Sequence, residues 1–397
     1  MLWAMKWCAG RLWVVIAGGL LLASNASAAD ANSVESHTFR PEKREFRAEF
    51  AKRLKVPAGF SVSVFATGLQ NARMMLRGPG GEIYLSRYNQ GDVLMLRDSG
   101  GRAEPPKTIA KIEKVHGLAI ADGTIYLASD TKLLKARLKR DGTIEEPIQF
   151  ATLPDGGQHP RRTLGFGPDG MLYVSIGSTC NACEESNPEH AAMLRLRPDG
   201  SQRTIFARGL RNTIGFDWHP ETKALWGFDH GSDERGNDLP PEELNLLEEG
   251  GDYGWPFCFG DQKVDRKMKP PAQGPGKDER CAESVGAVLT YQAHAAPIAF
   301  VFYDGQQFPA EFRGDGFVAF HGSWNRKPAV GYSVGRVRFE AGKPVKIEVF
   351  ATGFLMEGGQ AHFGRPAGLA VARDGSLLVS DDANGTIYRI SHPSGSR

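Results

Sequence analysis

The chain has 397 residues, with 48 Lys and Arg against 46 Asp and Glu, so its formal net charge is only +2 at pH 7. A balance this even gives no strong field to attract a polyanion. We therefore exclude nucleic-acid binding and charge-driven binding to an anionic membrane.

The N-terminus predicts a secretory signal peptide. Lys6 and Arg11 are followed by an almost unbroken apolar run at 12–23 and by the small-x-small sequence that ends at Ala28. The alternative is a membrane anchor, but about twelve apolar residues are too short for a helix that crosses a hydrocarbon core of roughly 30 Å. We expect cleavage after Ala28, a periplasmic mature chain with 46 basic and 46 acidic residues, and no stable membrane insertion.

Cysteine usage indicates two disulfides. Cys8 lies in the predicted signal peptide, so four cysteines would reach an oxidising compartment, where an even number favours disulfide pairing. Sequence alone allows three pairings, and proximity along the chain favours the pairs Cys180–Cys183 and Cys258–Cys281.

The Cys180-Asn181-Ala182-Cys183 sequence has two functional alternatives. A c-type haem site needs His at the next position, where this chain has Glu184, and a redox CxxC sequence opens a helix, whereas this one follows a predicted strand. We interpret it as a structural disulfide.

One pattern recurs along most of the chain: an apolar strand, a turn that contains Gly, and a second apolar strand. Short strands joined by such turns are typical of hairpins, and repeats of 40 or more residues are typical of propeller blades. The six copies lie at 74–85, 117–127, 164–174, 214–228, 299–320 and 368–379. The fold class predicted from them is all-β, a six-bladed β-propeller.

A second phrase predicts how the ring closes. In the interior of the chain, each Phe-Ala-x-Gly sequence lies at the end of a predicted blade. The copy at 65–68 comes before the first blade, so it has no blade of its own to end. The segment from Phe60 to Ala66 should therefore be the outer strand of the last blade, which removes an exposed edge. The expected domains are a signal peptide (1–28), a lead-in (29–58) and a catalytic propeller (59–392) with an insertion at about 255–290.

The segments that precede the innermost strands carry polar side chains. Because these strands line the channel of a propeller, the segments before them should meet at one mouth of that channel. They include Asn71-Ala72-Arg73, His116, Gln158-His159-Pro160-Arg161-Arg162, Arg211-Asn212, His294 and Arg365. A ring of cationic donors suits a planar polyanion, and a His among them can act as a general base.

Two acidic segments lie near these positions. The loop from Gly231 to Asp238 is rich in oxygen donors, which suit Ca²⁺, although it lacks EF-hand spacing and a solvated acidic loop is the alternative. We interpret Asp381-Asp382 as turn residues.

Three motifs resemble the glucose/sorbosone dehydrogenase family. They are Gly209-Leu210-Arg211-Asn212, Glu243-Leu244-Asn245-Leu246 and Gly250-Gly251-Asp252-Tyr253-Gly254-Trp255-Pro256. The stretch at 321–326, His-Gly-Ser-Trp-Asn-Arg, and the CxxC sequence resemble the sorbosone branch. The resemblance covers about 60–390 and implies a soluble six-bladed propeller that uses pyrroloquinoline quinone (PQQ) and Ca²⁺.

The resemblance also implies roles for individual residues. His159 would take a proton from the substrate hydroxyl while hydride passes to PQQ. Arg211 and Asn212 would contact the quinone oxygens, and Arg365 would bind a quinone carboxylate. Gly231 and Ser232 would ligate Ca²⁺ through their backbone carbonyls.

The chain departs from the pattern of the glucose enzymes in four places, one of which is that only one Arg of a two-Arg pair is present near Arg365. His116 stands where those enzymes have Gln, and Gln158 stands where they have Asp. The cofactor-binding Lys has no clear counterpart, and Asn325 or Arg326 falls nearest. All five residues are expected at the cofactor, and the departures leave the substrate open.

The sequence is compatible with three alternative functions. The first is oxidation of a sugar or sugar aldehyde, such as an aldose or sorbosone, with electrons passed to an external quinone or cytochrome. The second is a six-bladed Ca²⁺-dependent lactonase or related hydrolase, whose site would need carboxylates around the metal. The third is a non-catalytic propeller that binds a partner. The cationic segments favour the first.

Overall fold

The computed structural model describes residues 35–392, and almost all regular structure in this range is β-strand. The predicted signal peptide and Cys8 lie outside the described residues. Within the range there is one α-helix, Lys277–Glu283, and there are three short 3₁₀ helices, Ala48–Arg53, Ala310–Phe312 and Glu357–Gly359.

Each of the first three repeats forms an antiparallel sheet whose strands follow one another in the chain. Sheet 1 consists of Met75–Arg77, Ile83–Arg87, Asp92–Leu96 and Lys107–Lys111. Sheet 2 consists of Gly117–Ala121, Thr124–Ala128, Lys132–Arg137 and Ile148–Thr152. Sheet 3 consists of Thr163–Phe166, Leu172–Ile176, Ala192–Leu196 and Thr204–Arg208, with Gly251–Asp252 added in parallel at its edge.

The other three repeats form sheets of the same order. Sheet 4 consists of Gly215–Trp218, Leu225–Asp229, Glu242–Leu247 and Leu289–Tyr291. Sheet 5 consists of Pro297–Phe302, Gly316–Phe320, Ser333–Glu340 and Lys343–Ala351. Sheet 6 consists of Pro366–Val371, Leu377–Asp381, Thr386–Ser391 and, from the other end of the chain, Ser61–Ala66. That last strand pairs antiparallel with Thr386–Ser391.

Smaller elements lie between the sheets. Short hairpins form at Asp98–Ser99 with Arg102–Ala103 and, inside the 255–290 segment, at Cys258–Phe259 with Lys263–Val264. The segment before the first sheet adds Glu42–Lys43 to the pair formed by Leu355–Met356 and Ala361–His362.

The first strands of the six sheets surround a common space. Each first strand contacts the first strand of the next sheet, and that of sheet 6 contacts that of sheet 1. Together they line an apolar cavity of about 300 Å³, which includes Leu118, Leu164, Ile214, Ala299 and Leu369. Sheets that face a shared channel through their first strands have the arrangement of a β-propeller.

The hydrophobic core lies between neighbouring sheets, with a cluster of buried side chains at each contact. The cluster between sheets 5 and 6 is built largely from aromatic rings, among them Phe308, Phe317 and Phe350. Such rings bury large apolar areas and prefer the edge-to-face contacts that Phe317 and Phe350 make at 4.7 Å. This packing holds the strand ends, and therefore the loops beyond them, in fixed positions.

Candidate active site

The predicted site residues lie at one end of the sheets, where two sets of loops meet. Strand direction alternates within each antiparallel sheet, so the segment before a first strand and the loop after a second strand lie at the same end. From the sequence we expected the first set at the mouth and named parts of the second set without placing them there. The structure shows that the second set supplies much of the hydrogen bonding around it.

His159 lies just before sheet 3 and is only partly exposed. Its Nδ1 is 2.8 Å from Ser178 Oγ and 3.1 Å from the Ser178 carbonyl oxygen. Burial lowers the pKa of His159 to about 3, and the positive charge of Arg211 contributes to the shift. The imidazole is therefore neutral at physiological pH, as a general base must be.

The guanidinium of Arg211 is buried and held by the disulfide loop. Its Nε donates to the backbone oxygen of Asn181 at 2.8 Å, and one terminal nitrogen donates to Asn181 Oδ1 at 2.9 Å. The same nitrogen lies 3.2 Å from Asp233 Oδ2. These bonds fix the plane of the guanidinium beside His159.

Asp229, at the end of the second strand of sheet 4, fixes the backbone of the Arg211-Asn212 segment. Its two carboxylate oxygens accept hydrogen bonds from the backbone N–H groups of Arg211 at 2.9 Å and Asn212 at 2.8 Å. Asn212 is buried, and within residues 35–392 its side-chain amide makes no hydrogen bond. The amide is therefore available to a ligand.

His116 is buried beneath the charged groups at the mouth. It is fully buried, its Nδ1 donates to the Arg162 carbonyl oxygen at 3.0 Å, and its Nε2 accepts from Arg73 Nε at 3.4 Å. Burial, with the charge of Arg73, holds the pKa of His116 well below its usual range. Both ring nitrogens of His116 are therefore engaged by neighbouring residues of the site.

Asp382 lies in the turn at 382–385, as predicted, whereas Asp381 is the last residue of the strand Leu377–Asp381, and nothing in the sequence indicated the ion pairs that Asp382 makes. Its carboxylate is buried, forms an ion pair with Arg73 and lies 2.8 Å from Nε2 of His321. The chain therefore links loops of sheets 1, 5 and 6 through a buried charge network at the mouth. The carboxylate of Asp382 offsets a local excess of positive charge, which is why it is buried.

Two adjacent arginines before sheet 3 have opposite environments. Arg162 donates to three backbone oxygens, those of Asp130 at 3.1 Å, His159 at 2.9 Å and Pro154 at 2.9 Å. Arg161 stacks over the ring of Tyr88, 4.6 Å from its centroid, and its buried Nε has no hydrogen-bond partner in the described chain. Burial and the nearby charge of Arg73 lower the pKa of Arg161.

The remaining cofactor candidates lie at different depths. Arg365 is held by the carbonyl oxygens of His321 and Gly322, at 3.1 and 2.7 Å, and stacks over Tyr332. Asn325 is buried and donates to Asp233 Oδ1 at 2.6 Å. Arg326 pairs with Asp238 at 2.7 Å, and Gln158 is exposed. Arg365 and Asn325 are thus fixed near the mouth, whereas Gln158 is free to move.

The predicted metal loop follows the second strand of sheet 4. Gly231 N–H donates to Glu242 Oε2 at 3.1 Å, and Ser232 Oγ accepts from Trp255 Nε1 at 3.2 Å. Within the described part of the chain, the carbonyl oxygens of Gly231 and Ser232 accept no hydrogen bond. Oxygens of this kind are ligands that Ca²⁺ prefers.

Both predicted disulfides are confirmed. Cys180 pairs with Cys183, and Cys258 pairs with Cys281 across a separation of 23 residues. The first pair closes the loop that holds Arg211. The second joins the helix Lys277–Glu283 to the short hairpin before it.

The donor set fits a planar, multiply charged anion. The orphaned Nε of buried Arg161 needs an acceptor, and the free amide of Asn212 can accept or donate. A guanidinium pairs with a carboxylate through two parallel hydrogen bonds. The residues present therefore suit a flat ligand with several carboxylates, and the free carbonyls of the metal loop suit a divalent cation beside it.

The TrAA12-like family model matches residues 54–393. The chain belongs to the TrAA12-like family. A Hypocrea jecorina protein named as a pyrroloquinoline quinone-dependent sugar dehydrogenase is 24% identical over 317 residues, which cover 67% of this chain and 72% of that protein. An uncharacterised protein of Borreliella burgdorferi is 28% identical over 361 residues, 86% of this chain and 92% of its own length.

Among solved structures, the family AA12 enzyme of Trichoderma reesei is similar. Its iodide and calcium structures superpose with TM-scores of 0.75 and 0.73, at 23% identity, and cover 85% of this chain and 97% of theirs. This likeness supports the propeller fold.

In this TrAA12-like chain, no helix within residues 35–392 is long and apolar enough to cross a membrane.

Sequence reasoning missed several residues of this TrAA12-like site. Ser178 was not named at all, whereas Asn181, Asp233, Arg73 and Arg161 were named only as parts of segments and given no role at the site. Ser178, Asn181 and Asp233 lie in loops after second strands, and the position of these loops could have been predicted. Because strand direction alternates in an antiparallel sheet, the loop after a second strand lies at the same end as the segment before the first strand. Burial and pairing of the arginines depend on packing and have no local signal.

Proposed function

We propose that the chain is an exported, PQQ-dependent dehydrogenase that oxidises a sugar or sugar aldehyde and passes electrons to an external acceptor. The observation that carries the proposal is that one mouth holds a neutral His159, the fixed guanidinium of Arg211 and an Arg161 whose buried Nε has no partner in the described chain. Family membership and the name of the Hypocrea jecorina relative support the same chemistry.

We also propose the architecture behind this site. The six sheets are the blades of a closed six-bladed propeller, residues 59–392 are the catalytic domain, and Ser61–Ala66 closes the ring through Thr386–Ser391. Residues 29–58 are a lead-in, and the 255–290 segment is an insertion in the fourth blade. Export rests on the signal-peptide pattern at 1–28 and places the enzyme in the periplasm.

The proposed cofactor is held by residues from several sheets. Arg161 and Arg365 bind carboxylates of the quinone, while Arg211 and Asn212 face its oxygens. Asn325 and Arg326 contribute from the fifth sheet. When bound, PQQ supplies a two-electron acceptor that a sugar carbon can reduce by hydride transfer.

His159 performs the proton chemistry. Its Nε2 accepts the proton of the substrate hydroxyl, or of a hydrated aldehyde, while the C–H electrons leave as hydride. Arg211 stabilises negative charge that develops nearby, and its bonds to Asn181 keep it in place without reorganisation. Gly231 and Ser232 provide carbonyl oxygens for Ca²⁺, whose charge polarises the same site.

The carboxylates beside the metal loop disfavour the hydrolase alternative. Both oxygens of Glu242 accept backbone N–H bonds, from Ala296 at 2.8 Å and Gly231 at 3.1 Å. This carboxylate is therefore held by the backbone. A lactonase would need such carboxylates to converge on the metal.

Reconstitution tests the proposal. The purified chain, stripped with a chelator, is titrated with PQQ with and without Ca²⁺, and binding is followed by quinone absorbance. Dye reduction is then screened with aldoses, sorbosone and simple alcohols. Ca²⁺-dependent quinone binding together with sugar-dependent dye reduction supports the function. Absence of both quinone binding and dye reduction overturns it.

A further inference from the structure

The loop closed by Cys180–Cys183 lies between the two proposed reactive side chains. It follows the second strand of sheet 3, Leu172–Ile176, and its residues contact both His159 and Arg211. Glu185 fastens its first part by accepting hydrogen bonds from the backbone N–H and the hydroxyl of Thr179, both at 2.7 Å. The loop is therefore well anchored around the disulfide.

On one side, the loop determines which nitrogen of His159 carries the proton. Ser178 Oγ donates its hydrogen to the Cys180 carbonyl oxygen at 2.7 Å, because a carbonyl can only accept. The Oγ therefore accepts from His159 Nδ1, as does the Ser178 carbonyl oxygen. With the proton on Nδ1, the lone pair is on Nε2, which is the tautomer that a base needs.

On the other side, the loop holds Arg211 and the metal loop together. Asn181 accepts from the guanidinium through its backbone and side-chain oxygens, donates through Nδ2 to the Asp233 backbone oxygen at 3.1 Å, and accepts the Asp233 N–H at 2.7 Å. Asp233 in turn accepts from Asn325. The Asn181 side chain thus connects the disulfide loop to Arg211 and to Asp233, which follows Ser232 in the metal loop.

We propose that the disulfide-closed Cys180–Cys183 loop is the positioning element of the site, in which Ser178 fixes the tautomer of His159 and Asn181 fixes the guanidinium of Arg211. This inference rests on the proposed function for the roles of His159 and Arg211. Ser178 and Asn181 act through other residues and are positioning residues.

The size of the disulfide ring supports a local role. Loop closure constrains the unfolded chain less when the ring is short, and the Cys180–Cys183 ring spans only four residues. The disulfide mainly restricts the backbone that carries the Cys180 carbonyl, which accepts from Ser178, and Asn181, which binds Arg211. Small displacements of positioned groups reduce rates by about 100-fold per ångström.

The tautomer is measured directly, without cofactor or turnover. Apoprotein labelled with ¹⁵N-histidine is examined by NMR at pH 7, and the His159 signals are assigned by their loss in His159→Gln. We expect one tautomer in the wild type, with the proton on Nδ1. The Cys180→Ser/Cys183→Ser variant should show a mixture of both tautomers. Ser178→Ala loses the Oγ acceptor but keeps the backbone carbonyl at 3.1 Å, so it should show a smaller population of the second tautomer.

Asn181→Ala tests the other side with the disulfide intact. We expect unchanged His159 signals but a lower kcat for sugar oxidation, by about 10- to 100-fold, with a smaller change in KM. Asn187→Ala is the matched control, since Asn187 is exposed and bonds only within its own turn. It should behave like the wild type.

The outcomes separate this inference from the proposed function. A single Nδ1–H tautomer in both Ser178→Ala and the double cysteine variant, or wild-type kcat in Asn181→Ala, overturns the positioning role. If the double cysteine variant does not fold, Ser178→Ala and Asn181→Ala decide. Mixed tautomers in a protein that binds no quinone support the positioning of His159 while overturning the dehydrogenase.

Discussion

The guanidinium of Arg161 lies 4.6 Å from the centre of the Tyr88 ring, and its buried Nε finds no acceptor in the described chain. The Tyr88 hydroxyl donates to Asp130 at 2.8 Å, which holds the ring in place. A stacked guanidinium with a buried, unpartnered N–H gains a hydrogen bond when an anion binds to it. This relationship makes Arg161 the strongest candidate for binding a cofactor carboxylate.

Removing the charge of Arg161 should weaken quinone binding. A hydrogen bond to a charged group contributes about 1.5–3 kcal/mol, so Arg161→Gln should raise the Kd for PQQ by about 10- to 100-fold. The measurement is a titration of apoprotein in saturating Ca²⁺, followed by absorbance. Arg140→Gln, at an exposed position in a hairpin turn of sheet 2, is the control. Equal affinities in both variants would exclude Arg161 from the cofactor.

The base should stay neutral in moderately acidic solution. Because burial and the charge of Arg211 lower the pKa of His159 to about 3, protonation is disfavoured at every pH above about 4. NMR titration of ¹⁵N-histidine in the apoprotein should show His159 neutral from pH 8 to pH 5. A midpoint near the ordinary value of about 6.5 would show that the ring is solvated and would contradict the buried geometry.

Neutralising Asp381 should stabilise the fold in alkaline solution. Burial raises the pKa of Asp381 to about 7, and its Oδ2 has no partner, while Oδ1 accepts from the Arg365 and Ala383 N–H groups. Asn keeps that Oδ1, and its Nδ2 faces a strand partner, Thr386, whose buried hydroxyl also lacks a partner. Asp381→Asn should therefore keep the strand end intact.

The sign of this pH dependence follows from proton binding. A folded-state pKa above the unfolded value means that the native protein binds more protons between about pH 4 and pH 7, so its stability falls as pH rises through that range. Asp381→Asn has no carboxylate to ionise at this position, so its stability does not fall in this way as the pH rises. It should be more stable than wild type at pH 8, by up to about 4 kcal/mol, with little difference near pH 4. Thermal unfolding of both proteins at pH 4 and pH 8 measures this difference in stability. An equal difference at both pH values would contradict the raised pKa of Asp381.

The second disulfide should contribute to global stability. Cys258 and Cys281 are 23 residues apart, and closing such a loop stabilises a protein by about 3 kcal/mol on the chain-entropy model. Cys258→Ala/Cys281→Ala should lower the midpoint of denaturant unfolding more than Cys180→Ala/Cys183→Ala, which opens a much shorter ring. The reverse order would mean that local packing, rather than chain entropy, dominates.

The sequence repeats were sufficient to predict the sheets because alternating apolar strands and Gly turns are local signals. Phe60 to Ala66 was placed beside the last blade by elimination, and Ser61–Ala66 does pair there with Thr386–Ser391. Proximity of cysteines also predicted both disulfides correctly.

The site was harder to predict because its geometry depends on contacts between distant residues. Arg161 and Arg162 are neighbours with the same side chain, yet only packing decides that Arg162 is saturated by carbonyls and Arg161 is not. His116 was predicted at the cofactor, and the sequence could not show that Arg73 and the Arg162 carbonyl engage its two ring nitrogens. Asp382 is a turn residue, as predicted, but its pairing with Arg73 and His321 has no local signal in the sequence.

The central claim is that His159 is the base of a quinone-dependent oxidation. The most direct measurement compares wild type with His159→Gln, both loaded with PQQ and Ca²⁺ and mixed with a sugar that the wild type oxidises, while reduction of the bound quinone is followed by absorbance in a single turnover. We predict equal quinone affinity and a reduction rate at least about 100-fold lower in His159→Gln. Quinone reduction at the wild-type rate would contradict the account.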